Sequence, residues 1–346
     1  MYMNKSRLIL YALVFSLVFT ASGCSPSIKA YKVMPSTKSV QASDTNNDKN
    51  TDYSNQWGIS QIKGDEAWII LQQKREVKVA VVDTGVDYNH PDLKNRVLKD
   101  EGYNFLNNTS DTMDDNWHGT HVAGIISADA ENNIGITGVV GKADVKIIPV
   151  KVLDKNGQGS SDIIAKGIKY AADKGADVIN FSVGFDVKDE FISQAIKYAR
   201  TKGSFVVVSA GNNNTNCDNS SPAGDEGAYT VSSVNDYNEK SSFSNYGDSV
   251  KIAAPGENIL STIPNGDYDY RSGTSMAAPY AAGVAAMIKA QNPNLTSEDI
   301  EYILDKTAVD IMEKGKDQET GYGLINAKAA VEMADKLGAK NNILKF

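Results

Sequence analysis

The chain has 346 residues, enough for one large α/β domain or two smaller ones. Hydrophobic residues make up 41% and glycines number 28, which suits a globular enzyme with tight turns and excludes a disordered chain. The net charge is −8 and the basic residues form no stripe that would track a phosphate backbone, so nucleic acid is excluded as a partner.

Taken in chain order, residues 1–23 read as an export signal. Lys5 and Arg7 precede an apolar run over 8–21 that is too short to span a bilayer comfortably. The run ends in Ala21-Ser22-Gly23-Cys24, which resembles the lipobox of bacterial lipoproteins. That resemblance implies a diacylated Cys24 as the new N-terminus and a lipid bilayer as a partner. An ordinary signal peptide cut nearby is the alternative. Both readings export the chain, to the outer face of the cell membrane by its lipid or to the extracellular space if released. Cys217 is the only other cysteine, so an acylated Cys24 leaves no intramolecular disulfide. Residues 24–55 are rich in Ser, Thr, Asn, Asp and Lys with no apolar period. They read as a flexible polar tether or short pro-segment, with a reach of roughly 30 Å.

The fold starts near Trp57, and a single domain over 56–336 with a tail at 337–346 is the simplest partition. Apolar runs at 77–82, 145–150, 178–182, 205–209, 229–234 and 250–254 read as strands. The stretch 161–174 sets Ile163, Ile164, Gly167, Ile168 and Ala171 on one helical face. The stretch 189–202 does the same with Phe191, Ile192, Ala195, Ile196 and Ala199. Apolar strands alternating with amphipathic helices predict an α/β fold, a doubly wound and mostly parallel sheet flanked by helices. A closing helix starts at Thr296 with Asp299 as its capping partner.

In such a sheet, ligands gather beyond the carboxyl ends of the strands. Asp83 ends the first strand; alone it reads as a turn or cap residue, with Asp87 and Asp92 as competitors. His118 opens a helix, where the dipole disfavours protonation and keeps the imidazole a base near neutral pH. Gly119 beside it predicts an accessible ring. His121, next to Val122 and Ala123, reads as a packing residue, and His90 precedes Pro91 in a turn. The three histidines lack zinc-like spacing.

Ser275 begins a helix, a place where serine is ordinarily an N-cap. Its setting points further. Gly273 permits a sharp turn, and Ala277, Ala278, Ala281, Ala282 and Gly283 let the helix press on the sheet, leaving its first N–H groups for a developing anion. Asn212 follows another strand and alone reads as a turn former; with the Ser275 N–H it is able to donate to a tetrahedral oxyanion. The order Asp…His…Ser is one of three unrelated orders in which this nucleophilic set recurs. The run around Ser275 is not a Gly-x-Ser-x-Gly elbow, which disfavours an α/β-hydrolase, and no glycine-rich loop supports nucleotide binding.

Together Asp83-Thr84-Gly85, His118-Gly119-Thr120-His121, Ala210-Gly211-Asn212 and Gly273-Thr274-Ser275-Met276-Ala277 resemble the four signature motifs of the subtilisin-like serine peptidases, in order and in separation. The similarity runs from Trp57 to Ala327. It implies a serine endopeptidase working through an acyl-enzyme, with Ser275 as nucleophile and His118 as general base, then acid. Asp83 would orient the imidazole and Asn212 would donate to the oxyanion. The resemblance also implies extended polypeptide substrates, bound by strand addition along Gly157-Gln158-Gly159 and Ser182-Val183-Gly184. Ala210 and Gly211 would line the pocket for the residue before the scissile bond. The acidic pair Asp225-Glu226, beyond that pocket's wall, raises a preference for basic residues.

Family members commonly bind structural calcium. Asp92 with Ala130, Asn132, Ile134 and Ile136 resembles one such site, with Tyr53 near the place of a further ligand and Asp52 beside it. No catalytic cofactor is implied. The polar residues after Cys24 are too few for the folded pro-domain usual in secreted members. Tethering favours a dedicated processing role, such as leader-peptide cleavage, over general degradation. A catalytically silent peptide-binding homologue is the competing class, and the intact Asp83, His118, Asn212 and Ser275 argue against it.

Overall fold

The computed structural model describes residues 30–32, 55–185 and 187–343. Cys24, Asp52, Tyr53 and most of the expected tether lie outside the described residues. The strands are β1 (Ala30–Lys32), β2 (Val77–Asp83), β3 (Tyr103–Asn104), β4 (Val145–Lys151), β5 (Gln158–Ser160), β6 (Val178–Phe181), β7 (Phe205–Ser209), β8 (Ala228–Val234), β9 (Val250–Pro255), β10 (Ile259–Ile263) and β11 (Asp267–Arg271). The helices are α1 (Trp57–Gln61), α2 (Gly64–Ile70), α3 (His118–Ser127), α4 (Ser161–Asp173), α5 (Glu190–Thr201), α6 (Thr274–Gln291), α7 (Ser297–Thr307) and α8 (Ala327–Ile343).

Seven strands form one parallel sheet in the order β3-β4-β2-β6-β7-β8-β9. The period of two in each strand divides its side chains between two cores. Val77, Val79 and Val81 of β2, with Phe205 and Val207 of β7, face α3, α6 and α8. Ala80 and Val82, with Val206 and Val208, face α4 and α5. Burial on both faces explains why these strands are continuously apolar rather than alternating. The expected strands and the helices α4 and α5 stand where the sequence places them, within a residue or two. Phe191 is an exception, since its side chain is 45% exposed at the first turn of α5. The Thr296–Asp299 capping box forms at the start of α7.

Helix α6 is buried over almost its whole length, and its small residues are the reason it fits. A Cβ on Gly283 would crowd the Val139 side chain. Three features depart from expectation. The antiparallel hairpin β10–β11 lies outside the main sheet. Helix α8 continues to Ile343, so the chain has no structural break at 336–337. Within the expected tether, β1 pairs antiparallel with β5, Ala30 opposite Ser160 and Lys32 opposite Gln158. Among the described residues, no helix is long and apolar enough to cross a membrane.

Candidate active site

The parallel pairing of β2 with β6 sets Val81 opposite Asn180, which brings Asp83 and Ser182 to the same level at the carboxyl edge. Asp83 is fully buried there. Both of its carboxylate oxygens face His118 Nδ1, at 2.8 and 2.9 Å, and Oδ1 also accepts from the Thr84 N–H at 2.7 Å. An ionised carboxylate only accepts, so Nδ1 carries the proton and the Nε2 lone pair is free. His118 Nε2 is buried and makes no hydrogen bond. The ring is 1% exposed, which corrects the expectation of an accessible imidazole: Trp117 packs edge-on against it, with centroids 5.4 Å apart.

A buried network holds the His118 helix onto β2. Asp114 accepts from Thr84 Oγ1 at 2.9 Å, from the Asn116 N–H at 2.9 Å, and from the N–H and hydroxyl of Thr120 at 3.0 and 2.6 Å. Thr84 Oγ1 in turn accepts from the Gly119 N–H at 2.9 Å. A Cβ at residue 119 would strike the Gly85 carbonyl, so glycine is what lets α3 approach so closely. Burial raises the Asp114 carboxyl pKa despite these donors. Neither Asp114 nor Thr84 stood out in the sequence. The only available signal was their place beside the Asp-Thr-Gly and His-Gly-Thr-His motifs. His121, as expected, is a packing residue: its Nε2 bonds the Asp269 carbonyl at 3.1 Å, and burial pushes its pKa down to about 3. His90 caps its own turn, its Nδ1 accepting from the Asp92 N–H.

Ser275 opens α6, and its Oγ donates to the Ser182 carbonyl at 2.8 Å. The serine–histidine link of the expected row is therefore not made in this state. Catalytic hydrogen bonds are often incomplete before substrate arrives. Asn212 Oδ1 accepts from the Thr274 N–H and hydroxyl, both at 2.8 Å, which leaves its NH2 as the free end. Thr274 Oγ1 also accepts from the Gly211 N–H at 3.0 Å. Asn245 fixes the same loop by donating to the Ala210 carbonyl and accepting from the Asn213 N–H. Thr274 and Asn245 were missed in the sequence because threonine and asparagine are ordinary in turns.

A 450 Å³ cleft runs beside Ser275 and Asn212, with Ser182, Val183, Gly184, Ala210 and Gly211 in its walls. No charged side chain lines it among the described residues. Asp225 and Glu226 lie on a different depression, beyond the wall of this cleft. Asp225 is already held by Lys188 Nζ at 3.1 Å and Ser193 Oγ at 2.7 Å, while Glu226 pairs with Lys197 at 3.0 Å. Cys217 is fully buried and burial raises its thiol pKa, which matches an inert side chain. Gly157 precedes β5 and Gly159 lies within it, on the edge that β1 occupies.

The loop expected to hold calcium is folded against Asp92. Asp92 Oδ1 accepts from the Asn132 side-chain amide at 2.6 Å, and Oδ2 accepts from the Ile136 N–H and the Tyr268 hydroxyl, each at 2.9 Å. Asn132 Oδ1 is taken by the Ile134 N–H at 3.0 Å. Calcium takes six to eight oxygen ligands; Asp92 offers two, the Asn132 amide one, and the Ala130, Ile134 and Ile136 carbonyls, which accept no hydrogen bond among the described residues, three more, so the set fits such an ion with the Asn132 oxygen turned towards it.

The Subtilase family model matches residues 74–323. A thermophilic serine proteinase from a Bacillus species is 44% identical over 80% of this chain and 67% of its own length. The cell wall-associated protease of Bacillus subtilis is 41% identical over 79% of this chain and 33% of its own length. Among solved structures, a protease from Pseudoalteromonas arctica superposes with a TM-score of 0.74 at 32% identity, covering 83% of this chain and all of that one. A parallel sheet with a buried Asp83–His118 pair at its carboxyl edge, joined to this breadth of similarity, makes the chain a member of the subtilase family of serine proteases.

Proposed function

We propose that this subtilase is an exported endopeptidase acting on extended polypeptides, with Ser275 as nucleophile, His118 as base and then acid, Asp83 as the orienting carboxylate, and Asn212 as oxyanion donor. The observation that carries the reading is the 2.8 Å bond from His118 Nδ1 to Asp83, which leaves Nε2 as a lone pair beside the edge where Ser275 sits. On substrate binding, Ser275 Oγ turns from the Ser182 carbonyl to Nε2 and gives up its proton as it attacks the peptide carbonyl. The Asn212 NH2 and the Ser275 N–H take the oxyanion. His118 then protonates the leaving amine and activates the water that clears the acyl-enzyme.

Pairing of β1 on β5 supports strand addition as the mode of substrate binding, since that edge already takes an extended segment. Among the described residues the cleft lining is uncharged, which favours an uncharged residue before the scissile bond. Export rests on residues 1–23 and on relatives named as cell wall-associated or extracellular. A diacylated Cys24 would tether the enzyme to the outer face of the membrane and favour a local processing role. Hydrolysis of an unfolded polypeptide by the wild type, and its loss in Ser275→Ala, tests the reading; equal activity in both would end it.

A further inference from the structure

The His118 ring is fixed by hydrogen bonds at one end only. Its Nδ1 meets Asp83, while Nε2 is buried and makes no hydrogen bond. The torsion that turns an imidazole is broad, so a ring held at one nitrogen can swing about that contact. Orientation matters here, because Ser275 Oγ rests on the Ser182 carbonyl and must find Nε2 in place when it turns. Packing is what stops the swing. The Trp117 indole meets the His118 ring edge-on, with centroids 5.4 Å apart and planes at 66°, and meets the His121 ring at 6.1 Å and 90°.

The indole is clasped in turn. The Arg271 guanidinium lies over its ring at 4.4 Å from the centroid, inside the ~6 Å within which an aromatic face attracts a cation. Asp269 aims the guanidinium there: Arg271 Nη2 pairs with Asp269 Oδ2 at 2.5 Å, and the Tyr270 N–H holds the other carboxylate oxygen at 2.8 Å. Two further bonds tie the same strand and helix together. The Asp269 carbonyl accepts from His121 Nε2, and the Trp117 carbonyl accepts from the His121 N–H at 3.0 Å. Arg271 ends β11, and only Ser272, Gly273 and Thr274 separate it from Ser275. We propose that Trp117 and Arg271 are positioning residues of the reaction. Arg271, held by Asp269, pins the indole, and the indole fixes the tilt of the His118 ring, so that the helix bearing the base and the strand leading to the nucleophile keep their register before substrate arrives. The inference rests on the roles proposed above for His118 and Ser275.

Steady-state kinetics of the full chain on a short chromogenic peptide, well below every melting transition, test this with Trp117→Leu, Arg271→Met, the double variant, Trp117→Phe and Ser275→Ala. Trp117→Leu and Arg271→Met are each expected to lower kcat roughly tenfold with KM within about twofold of wild type, and to slow fluorophosphonate labelling in parallel. The double variant should be no slower than the slower single one, because both substitutions break one shared contact. Trp117→Phe keeps an aromatic face for both neighbours and should recover most of kcat. Additive losses in the double variant, a wild-type kcat in either single one, a loss that falls on KM, or a Trp117→Phe as slow as Trp117→Leu would overturn the inference while Ser275→Ala stayed inactive. Activity retained in Ser275→Ala would instead overturn the assignment of the nucleophile, and the inference with it.

Discussion

Replacing Asp114 with asparagine should separate the scaffold of the site from its chemistry. Asp114 Oδ1 takes the Thr84 hydroxyl and the Asn116 N–H, and Oδ2 takes the Thr120 N–H and hydroxyl. Asparagine offers one oxygen and one NH2, so in either orientation a buried backbone N–H, of Asn116 or of Thr120, faces another donor. One unsatisfied buried donor costs about 1–3 kcal/mol. For a domain of this size that corresponds to a Tm fall of roughly 2–10 °C. The same bonds tie the first turn of the His118 helix to the end of β2. A displacement approaching 1 Å between Asp83, His118 and Ser275 would lower kcat by roughly 10- to 100-fold. The cleft is built from other elements, so KM for a short chromogenic peptide should stay near wild type. Steady-state kinetics at a temperature well below both transitions, alongside calorimetry, reads the two effects separately. An Asp114→Asn enzyme that loses those degrees but keeps wild-type kcat would refute the claim that this network positions the imidazole.

Three further outcomes are expected. Tyr31→Pro removes a backbone N–H from β1 and disfavours its pairing with β5, and an intramolecular competitor of this kind acts at an effective concentration on the order of millimolar; KM for short peptides should fall several-fold with kcat unchanged, and an unaltered KM would mean that β1 does not compete. Peptides ending in Leu or Phe should exceed the Arg-ending analogue in kcat/KM by on the order of tenfold or more, because the described residues of the cleft lining offer a cation no counter-charge; a preference for Arg would contradict this reading of the lining. Burial pushes the Asp305 carboxyl up to about 6 while the Tyr229 hydroxyl donates to it at 3.0 Å. A folded-state pKa above the unfolded value of about 3.9 means that protonation favours the fold, a contribution present in full below pH 4 and lost as pH rises through 6. Asp305→Asn should therefore melt above the wild type at pH 8 and together with it near pH 4.

The parallel sheet was readable because strands buried on both faces must be apolar at every position, as 77–82 and 205–209 are. Helices α4 and α5 were readable because each has one wet face. The motif residues were equally visible, since each stands at the end of an element where chemistry gathers. Other features had no such pattern. Strand β1 lies in a polar stretch and is defined by the edge it pairs with, so no local signal marks it. Hairpin β10–β11 is polar on much of its second strand and reads as loop. Thr84, Asp114, Thr274 and Asn245 act through hydrogen bonds between segments far apart in the chain, which residue type alone does not reveal. The accessible His118 ring failed for a related reason: Gly119 speaks only for its own backbone, while Trp117 packs against the imidazole. The calcium ligands were expected on loop resemblance, and Tyr268, more than 130 residues away in sequence, supplied a donor that the loop itself did not predict.

The account rests on one imidazole passing a proton between Ser275 and a peptide, and a fluorophosphonate measures this directly because it reacts only with an activated serine. Peptide mass spectrometry of the labelled protein should place a single adduct on Ser275. Labelling should be lost in His118→Ala and sharply slowed in Asp83→Asn. An adduct on another serine, or labelling at the wild-type rate without His118, would contradict it.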